Sequence, residues 1–540
     1  METHVGAGEP APFPLSEPLT RSRTGSSASA WSSAVPWLVA VIPGVLGLVT
    51  GGYRVAVPPI WGDEGVTKEM AARSVSEILA TMPHDDAVHG AYYLVVHVVE
   101  TVAGGSTATV LRLPSVVAMA VAAAFTALIA RRLATLAGAP NPAVTGLAAG
   151  VLFALLPAVI RYAQEARSYA IVTMLAAITT YLLLQAASKG GRWWIGYGVA
   201  AALTGLFNIF GLLILVAHGV SLLIAAPGRR GAGIMARWAL AAAAAVLVLS
   251  PIVALAYAQR AALAWMTGQP PVGHSAVALA RTWSGAPQVF WAVIGLAAFG
   301  VAADAITYRR RLPITPGSVA APWLVLPPTV LLVASQVHPV YDSRYVEYCL
   351  PALAILVVWG LDWLARLVVA AVPALRRSGL PWLGWLPSAA VLALLAAPLI
   401  TAGAAMRLPS SRPDNLGLDS QIVADNARPG DIVFFIPISY RPVSVEFPAQ
   451  WRKVRDIAEA RSPVASDTLY GTDVSPAELL KRFTNVTRVW VYSAPSDGGY
   501  LNSARATPVD KEEALLVSRM RLIRQWRDGD KMLTLYQVRG

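Results

Sequence analysis

Apolar residues in this chain recur as long unbroken blocks, not as helical stripes. A membrane-crossing helix needs about 20 mostly apolar residues. Such blocks fall near 36–52, 112–130, 144–160, 169–187, 193–208, 209–226, 237–257, 288–305, 321–337, 345–371 and 384–404. The pattern predicts a polytopic α-helical membrane protein with about eleven transmembrane helices. Beyond residue 404 the period changes. Residues 431–436, 488–492 and 533–538 read as buried strands, and 421–427 and 511–526 as helices. The chain thus divides into a segment 1–35, a membrane domain 36–404 and a small C-terminal α/β domain 405–540.

Composition supports this division. Of 540 residues, 56% are hydrophobic and only 14% charged, against about 25% charged in soluble domains. The single cysteine, Cys349, excludes a disulfide framework and a cysteine-rich metal site. Net charge is 43 − 31 = +12. Residues 1–404 hold 24 basic and 15 acidic side chains, and 405–540 hold 19 and 16. The excess therefore lies in the membrane part, where the positive-inside rule places it, and implies no nucleic-acid partner.

Segment 1–35, rich in Ser, Thr, Ala, Pro and Gly, reads as disordered. Arg21 and Arg23 precede the first span and no small-residue cleavage site follows it, so that span reads as uncleaved, with its N-terminus in the cytosol. Arg131-Arg132, Lys189 with Arg192, Arg229-Arg230 with Arg237, Arg309-Arg310-Arg311 and Arg376-Arg377 fall in every second loop, on the cytosolic side. An odd number of spans puts the C-terminal domain outside a cell membrane. This sorting requires a break between 193–208 and 209–226, which Asn208 supplies. The alternate loops carry Trp61–Glu64, Arg161–Tyr169, 257–284 and 338–344, so the unusual polar residues converge on the outer face.

The first outer loop, 53–111, opens with Trp61-Gly62-Asp63-Glu64. Adjacent carboxylates beside a bilayer build nothing structural, so they are functional candidates. Residues 67–82 read as a helix on the membrane surface, with Lys68, Glu69, Arg73 and Glu77 as its solvated face. Asp85-Asp86 fits a solvated turn or a functional pair equally. His89-Gly90-Ala91-Tyr92-Tyr93 begins an apolar helix too short to span, suited to the interface. The second outer loop packs Arg161, Tyr162, Gln164, Glu165, Arg167 and Tyr169 into nine residues. Glu165 can pair structurally with Arg161 or Arg167. The same residue types suit a pocket for an anion and a sugar: arginines for phosphate, a carboxylate for hydroxyls or a metal, tyrosines to stack.

Taken in order, Trp61-Gly-Asp63-Glu64, His89-Gly-Ala-Tyr92-Tyr93, Leu111-Arg112-Leu-Pro-Ser115, Arg161-Tyr-Ala-Gln-Glu165-Ala-Arg167-Ser-Tyr169 and Ser343-Arg344-Tyr345 before Pro351 resemble the GT-C superfamily of membrane glycosyltransferases. The branch they resemble is the bacterial family 39, aminoarabinose-transferase-like group, related to protein mannosyltransferases. Where those relatives carry two prolines after the loop histidine, this chain has Gly90-Ala91, which leaves the role of His89 open.

The resemblance implies a GT-C type bundle that passes a sugar from a polyprenyl-phosphate carrier to an extracytoplasmic glycan, lipid or protein, usually with inversion. It implies that Asp63 is the main catalytic carboxylate and Glu165 the second-loop acid. Asp63 would take the acceptor proton, and fixed positive charge would hold the leaving phosphate. Arg344 and Arg167 are the candidates, with Arg161, His89, Tyr345, Lys68 and His338 beside them and Glu64, Asp85 and Asp86 as auxiliaries. Oxygen ligands suit Mg²⁺ or Mn²⁺, which Asp63 and Glu165 could share. Two other classes compete. A transporter or lipid flippase needs polar groups at the bilayer midplane, for which only Pro157 and Asn208 speak. A non-catalytic scaffold displaying the C-terminal domain would not need Asp63.

Overall fold

The structure is a computed structural model that describes residues 28–225, 229–266, 272–308, 314–372, 375, 385–495 and 497–539. Most of segment 1–35 and the clusters Arg309-Arg310-Arg311 and Arg376-Arg377 lie outside the described residues, as do the side chains of Arg229 and Arg230.

Helix α1 (Ala28–Gly52) is followed by the short helices α2 (Gly62–Ala72), α3 (Val75–Thr81) and α4 (Gly90–Ala103) of the first loop. The bundle continues with α5 (Ala108–Leu136), α6 (Pro142–Leu155), α7 (Pro157–Ala163), α8 (Tyr169–Lys189), α9 (Trp193–Phe207) and α10 (Leu213–Ala225). Then come α11 (Arg229–Ala258), α12 (Val272–Ser284), α13 (Phe290–Thr307), α14 (Pro316–Ala334), α15 (Leu350–Ala371) and α16 (Trp385–Ala405). Apolar helices thus stand at every expected span, but the count of about eleven is not reproduced by length. Among the described residues seven are long and apolar enough to cross a membrane, or eight if α6 and α7 form one bent span. Trp37–Gly52, Trp193–Phe207 and Ile209–Ala225 are shorter.

The breaks have local causes. Leu156 is extended (φ −62°, ψ 128°) ahead of Pro157, because a proline ring crowds the preceding residue out of the helical region. The chain bends by 62° there. Asn208 is also extended and caps Phe210 N–H through its side chain at 3.0 Å. Tyr197 of α9 then meets His218 of α10 at 3.1 Å, so the chain folds back at Asn208, as the sequence pattern requires. Where α13 crosses α15, a Cβ on Gly360 would lie 2.1 Å from the Leu296 carbonyl oxygen. Small residues let membrane helices approach this closely.

In the first loop the single helix expected over 67–82 is two. It breaks at Arg73-Ser74, where Ser74 and Glu77 form a capping box that starts α3. Glu69 and Arg73 are buried against each other at 2.9 Å, not solvated. Residues 257–284, expected as a loop, contain α12.

The C-terminal region is built on a five-stranded sheet of order β2-β1-β5-β7-β6. Its strands are β1 (Asp431–Phe435), β2 (Val454–Asp456), β5 (Arg488–Ser493), β6 (Arg521–Asp528) and β7 (Lys531–Gln537). The short strands β3 (Glu459–Arg461) and β4 (Thr472–Asp473) pair separately. β1 pairs in parallel with β2 and β5, whereas β7 runs antiparallel to β5 and β6. Leu416–Asn426 and Pro508–Ser518 are its longest helices. The helix expected over 511–526 ends at Ser518, and Arg521–Asp528 is an edge strand instead. Its outer residues are mostly exposed, so no alternation of apolar positions marks it, and its three arginines suit an unpaired edge.

Candidate active site

Helix α2 begins just after Pro58-Pro59 and places Asp63 and Glu64 in its first turn, where the helix dipole favours carboxylates. Neighbouring residues on a helix point about 100° apart, so the two separate. Glu64 is fully buried and meets Arg112 of α5 in a two-pronged pair of 2.7 and 2.6 Å. Arg112 also donates to the carbonyls of Val55, Pro58 and Pro59, and Ala166 N–H donates to Glu64. Glu64 and Arg112 therefore fix the turn before α2 and the second loop relative to each other. They leave no atom of Glu64 for substrate.

Asp63 is turned the other way and is about one third exposed, with Arg344 Nη1 donating to its Oδ2 at 2.5 Å. Arg167 Nε lies 4.0 Å from the same oxygen. Burial works to raise the Asp63 pKa. The two guanidinium groups outweigh it, and the carboxyl is held below its ordinary value. Arg167 is itself oriented from behind, since its Nη2 approaches His89 Nε2 and its Nη1 the Tyr93 hydroxyl, both at 3.4 Å. On its other side His89 Nδ1 lies 2.6 Å from Asp86 Oδ1. Asp86 also accepts from the Tyr93 hydroxyl. Burial opposes ionisation of Asp86, but His89 and then Arg167 hold its pKa low. Asp86 sits at φ 54°, a left-handed conformation that aspartate tolerates better than most residues. The Asp86, His89, Arg167 and Asp63 side chains thus form a continuous chain of contacts.

Glu165 lies beside this chain, its Oε2 3.3 Å from Arg161 Nη2. Burial raises its pKa, with Arg161 and Arg412 opposing. The bend at Pro157 sends the second loop over the end of α1, where Gln164 donates to the carbonyls of Gly51 and Tyr53 at 2.9 and 2.8 Å. Tyr162, Tyr169, Tyr345 and Phe210 form a row of aromatic contacts with ring centroids 5.8, 6.3 and 5.1 Å apart. Carboxylates, guanidinium groups and a row of tyrosines in edge-on and tilted contact therefore share one end of the bundle.

Residues 91–255 match the family described as "Dolichyl-phosphate-mannose-protein mannosyltransferase". That segment includes Arg112, Arg161, Glu165 and Arg167 but stops short of Asp63 and Arg344. No curated protein matches the chain. Among solved structures, ArnT from Cupriavidus metallidurans in the apo state is similar at a TM-score of 0.52 and 14% identity, over 94% of this chain and 98% of that one. The same protein bound to undecaprenyl phosphate gives 0.51 at 16% identity, with the same coverage. The archaeal oligosaccharyltransferase AglB from Archaeoglobus fulgidus, in complex with an inhibitory peptide and a dolichol-phosphate, gives 0.50 at 12%, over 94% and 74%. The chain has the GT-C fold.

Within that fold, some expected site residues do other work. Lys68 pairs with Glu446 of the C-terminal region at 3.3 Å and covers the Phe447 ring. Asp85 accepts the Leu469 N–H at 3.1 Å. Both fasten the first loop to the C-terminal region, because α2 and α3 are sandwiched between it and the bundle. His338 is exposed in the turn that follows α14 and, among the described residues, joins no part of the cluster. Among the described residues no three His, Cys, Asp or Glu side chains are grouped so as to hold a metal ion. Asp63 is faced by Arg344 and Glu165 by Arg161, a donor set that suits an anion better than a cation. Sequence reasoning passed over Tyr93, Arg412 and Asp342, whose Oδ2 lies 3.4 Å from Arg344 Nε, as site residues. Tyr93 stood in a quoted motif, whereas Arg412 lies far along the chain and reaches the Gln164 carbonyl at 2.6 Å only after folding.

Proposed function

We propose that this chain is an integral-membrane glycosyltransferase that moves a sugar from a polyprenyl-phosphate donor to an extracytoplasmic acceptor hydroxyl. The observation that carries this reading is the sharing of one Asp63 oxygen by Arg344 and Arg167 at 2.5 and 4.0 Å. A base and two phosphate-binding groups stand within one ligand's length. Asp63 takes the proton of the acceptor hydroxyl. The acceptor oxygen forms its bond to the anomeric carbon from the face opposite the phosphate, with inversion. The bond from that carbon to the phosphate oxygen breaks, and its electron pair leaves on the polyprenyl phosphate. That leaving group is stable as an anion, so it requires fixed positive charge and no proton donor. Arg344 and Arg167 supply the charge. Tyr93 and the Asp86–His89 pair keep the Arg167 plane in place.

The test is Asp63→Asn in purified full-length protein with polyprenyl-phosphate sugars. Removing a general base costs about 10²–10⁴-fold, so transfer should fall by at least that factor while folding and insertion persist. Full turnover by Asp63→Asn would remove Asp63 from the mechanism. Arg344→Ala should raise KM for the donor. Donor-independent lipid flux in liposomes would favour a transporter instead.

A further inference from the structure

Glu347 is a buried acid that takes no part in the proposed transfer. It lies on the 3₁₀ stretch Ser343–Cys349, immediately before α15. Its residue is 1% exposed. Neither carboxyl oxygen has a hydrogen-bond partner among the described residues. The Tyr162 hydroxyl lies beside the carboxyl. A buried carboxyl with both oxygens unmatched is costly, and such groups call for a partner the protein does not itself provide.

Its position says which partner. Side chains three apart on a 3₁₀ helix eclipse one another, with about 2 Å of rise per residue. Arg344 and Glu347 therefore stand on one face of the stretch, about 6 Å apart along it. Arg344 is the residue that holds Asp63. Glu347 is also neighboured by Glu165, Asp342 and Arg161. The tyrosine row of Tyr162, Tyr169 and Tyr345 runs alongside, and Tyr169 feels the charges of both Arg344 and Glu165. Two acids beside aromatic faces, one sugar ring away from a phosphate-binding arginine, match a pyranose or furanose with its hydroxyls pointing at the acids.

We infer that Glu347, together with Glu165, forms the subsite that grips the hydroxyls of the donor sugar while Arg344 holds its phosphate. This rests on the glycosyltransferase reading. Glu347 is then a recognition residue that discriminates sugars and leaves the lipid phosphate to the arginines.

The experiment compares binding of undecaprenyl phosphate with that of its mannose-, glucose- and arabinose-linked forms by the purified full-length protein. The wild type should bind at least one sugar-linked lipid about ten-fold or more tightly than the sugar-free lipid, the worth of a charge-assisted hydrogen bond. Glu347→Ala should lose that advantage with sugar-free binding unchanged, and Glu347→Gln, which keeps donors and an acceptor, should retain part of it. A Glu347→Ala protein that keeps the wild-type preference overturns the inference. So does one that loses sugar-free binding as well, since Glu347 would then be structural. A wild type without any sugar preference overturns it too. A wild type that binds none of the four lipids refutes the glycosyltransferase reading itself, a distinguishable result.

Discussion

On the proposed mechanism, Asp63 and the donor phosphate would compete for the same guanidinium groups. In the free protein Arg344 and Arg167 overcome the effect of burial and depress the Asp63 pKa, which makes it a weak base. On that mechanism a bound phosphate would draw both arginines toward itself and return basicity to Asp63. With Asp63 as the base, activity would require its ionised form and be lost as pH falls through its pKa. The acid limb should therefore lie at lower pH in kcat/KM, which reports free enzyme, than in kcat, which reports the donor complex. Coincident limbs would remove the exchange. The Glu64–Arg112 pair sets a second expectation. Breaking a fully buried pair strands a charge and costs about 3–5 kcal/mol. Glu64→Ala or Arg112→Ala should thus unfold in detergent at clearly lower temperature than Asp63→Asn, a difference that thermal unfolding monitored by fluorescence reads out. The carboxylate pair was legible as a feature in the sequence. Which of the two is structural was not, because that depends on the direction each takes from the first turn of α2.

At the scale of elements, the first loop is shaped by contacts that periodicity does not record. Residues 67–82 have helical spacing throughout, yet Arg73 leaves the helix to donate to Thr81 and to the Thr468 carbonyl at 2.7 and 2.8 Å. A lost helical bond at Ser74 is replaced by the capping box with Glu77. The neighbouring contact between Asp85 and Leu469 N–H makes docking measurable. Asp85→Ala removes the acceptor, and a hydrogen bond of this kind is worth about 1 kcal/mol. Hydrogen exchange at the Leu469 amide should speed up by about five-fold, with the amides of α8 unchanged. Unchanged exchange at Leu469 would show that the apolar contact of Leu469 with Met70, Ile78 and Tyr93 holds the loop alone. The break at Asn208 was readable because a polar residue interrupts an apolar run. The strand Arg521–Asp528 was not, because an exposed edge strand carries no burial pattern.

For the whole molecule, the C-terminal region is fastened to the bundle by buried polar groups. Arg412 reaches the second loop, Arg407 the carbonyls of Thr50 and Tyr53, and Asp414 the Gly62 N–H. Burial raises the pKa of several acids in this region, Asp419 and Glu446 among them. Burial pushes Asp419 up to about 7 despite its hydrogen bond from Tyr492. Burial likewise pushes Glu446 up to about 7 against the pull of Lys68. A group with a raised folded pKa contributes stability that is present below its unfolded value and lost as pH rises through the folded one. The apparent Tm should therefore fall as pH rises from about 4 to about 7. Asp419→Asn should flatten that slope, which a thermal-shift series across pH will show. An unchanged slope would mean that Asp419 ionises normally.

The sequence by itself determined the membrane bundle, the C-terminal α/β region and the break at Asn208, because hydrophobic blocks and strand runs are local consequences of solvent. It also singled out Asp63, Arg167 and Arg344 through their residue types at the ends of apolar helices. Only the tertiary structure decided their grouping. The 281-residue separation of Asp63 and Arg344 is closed by packing, and packing also assigned Glu64 to Arg112, Lys68 to Glu446 and Asp85 to Leu469. Charges choose partners by distance in space and by burial, and neither is written in the order of residues along a chain.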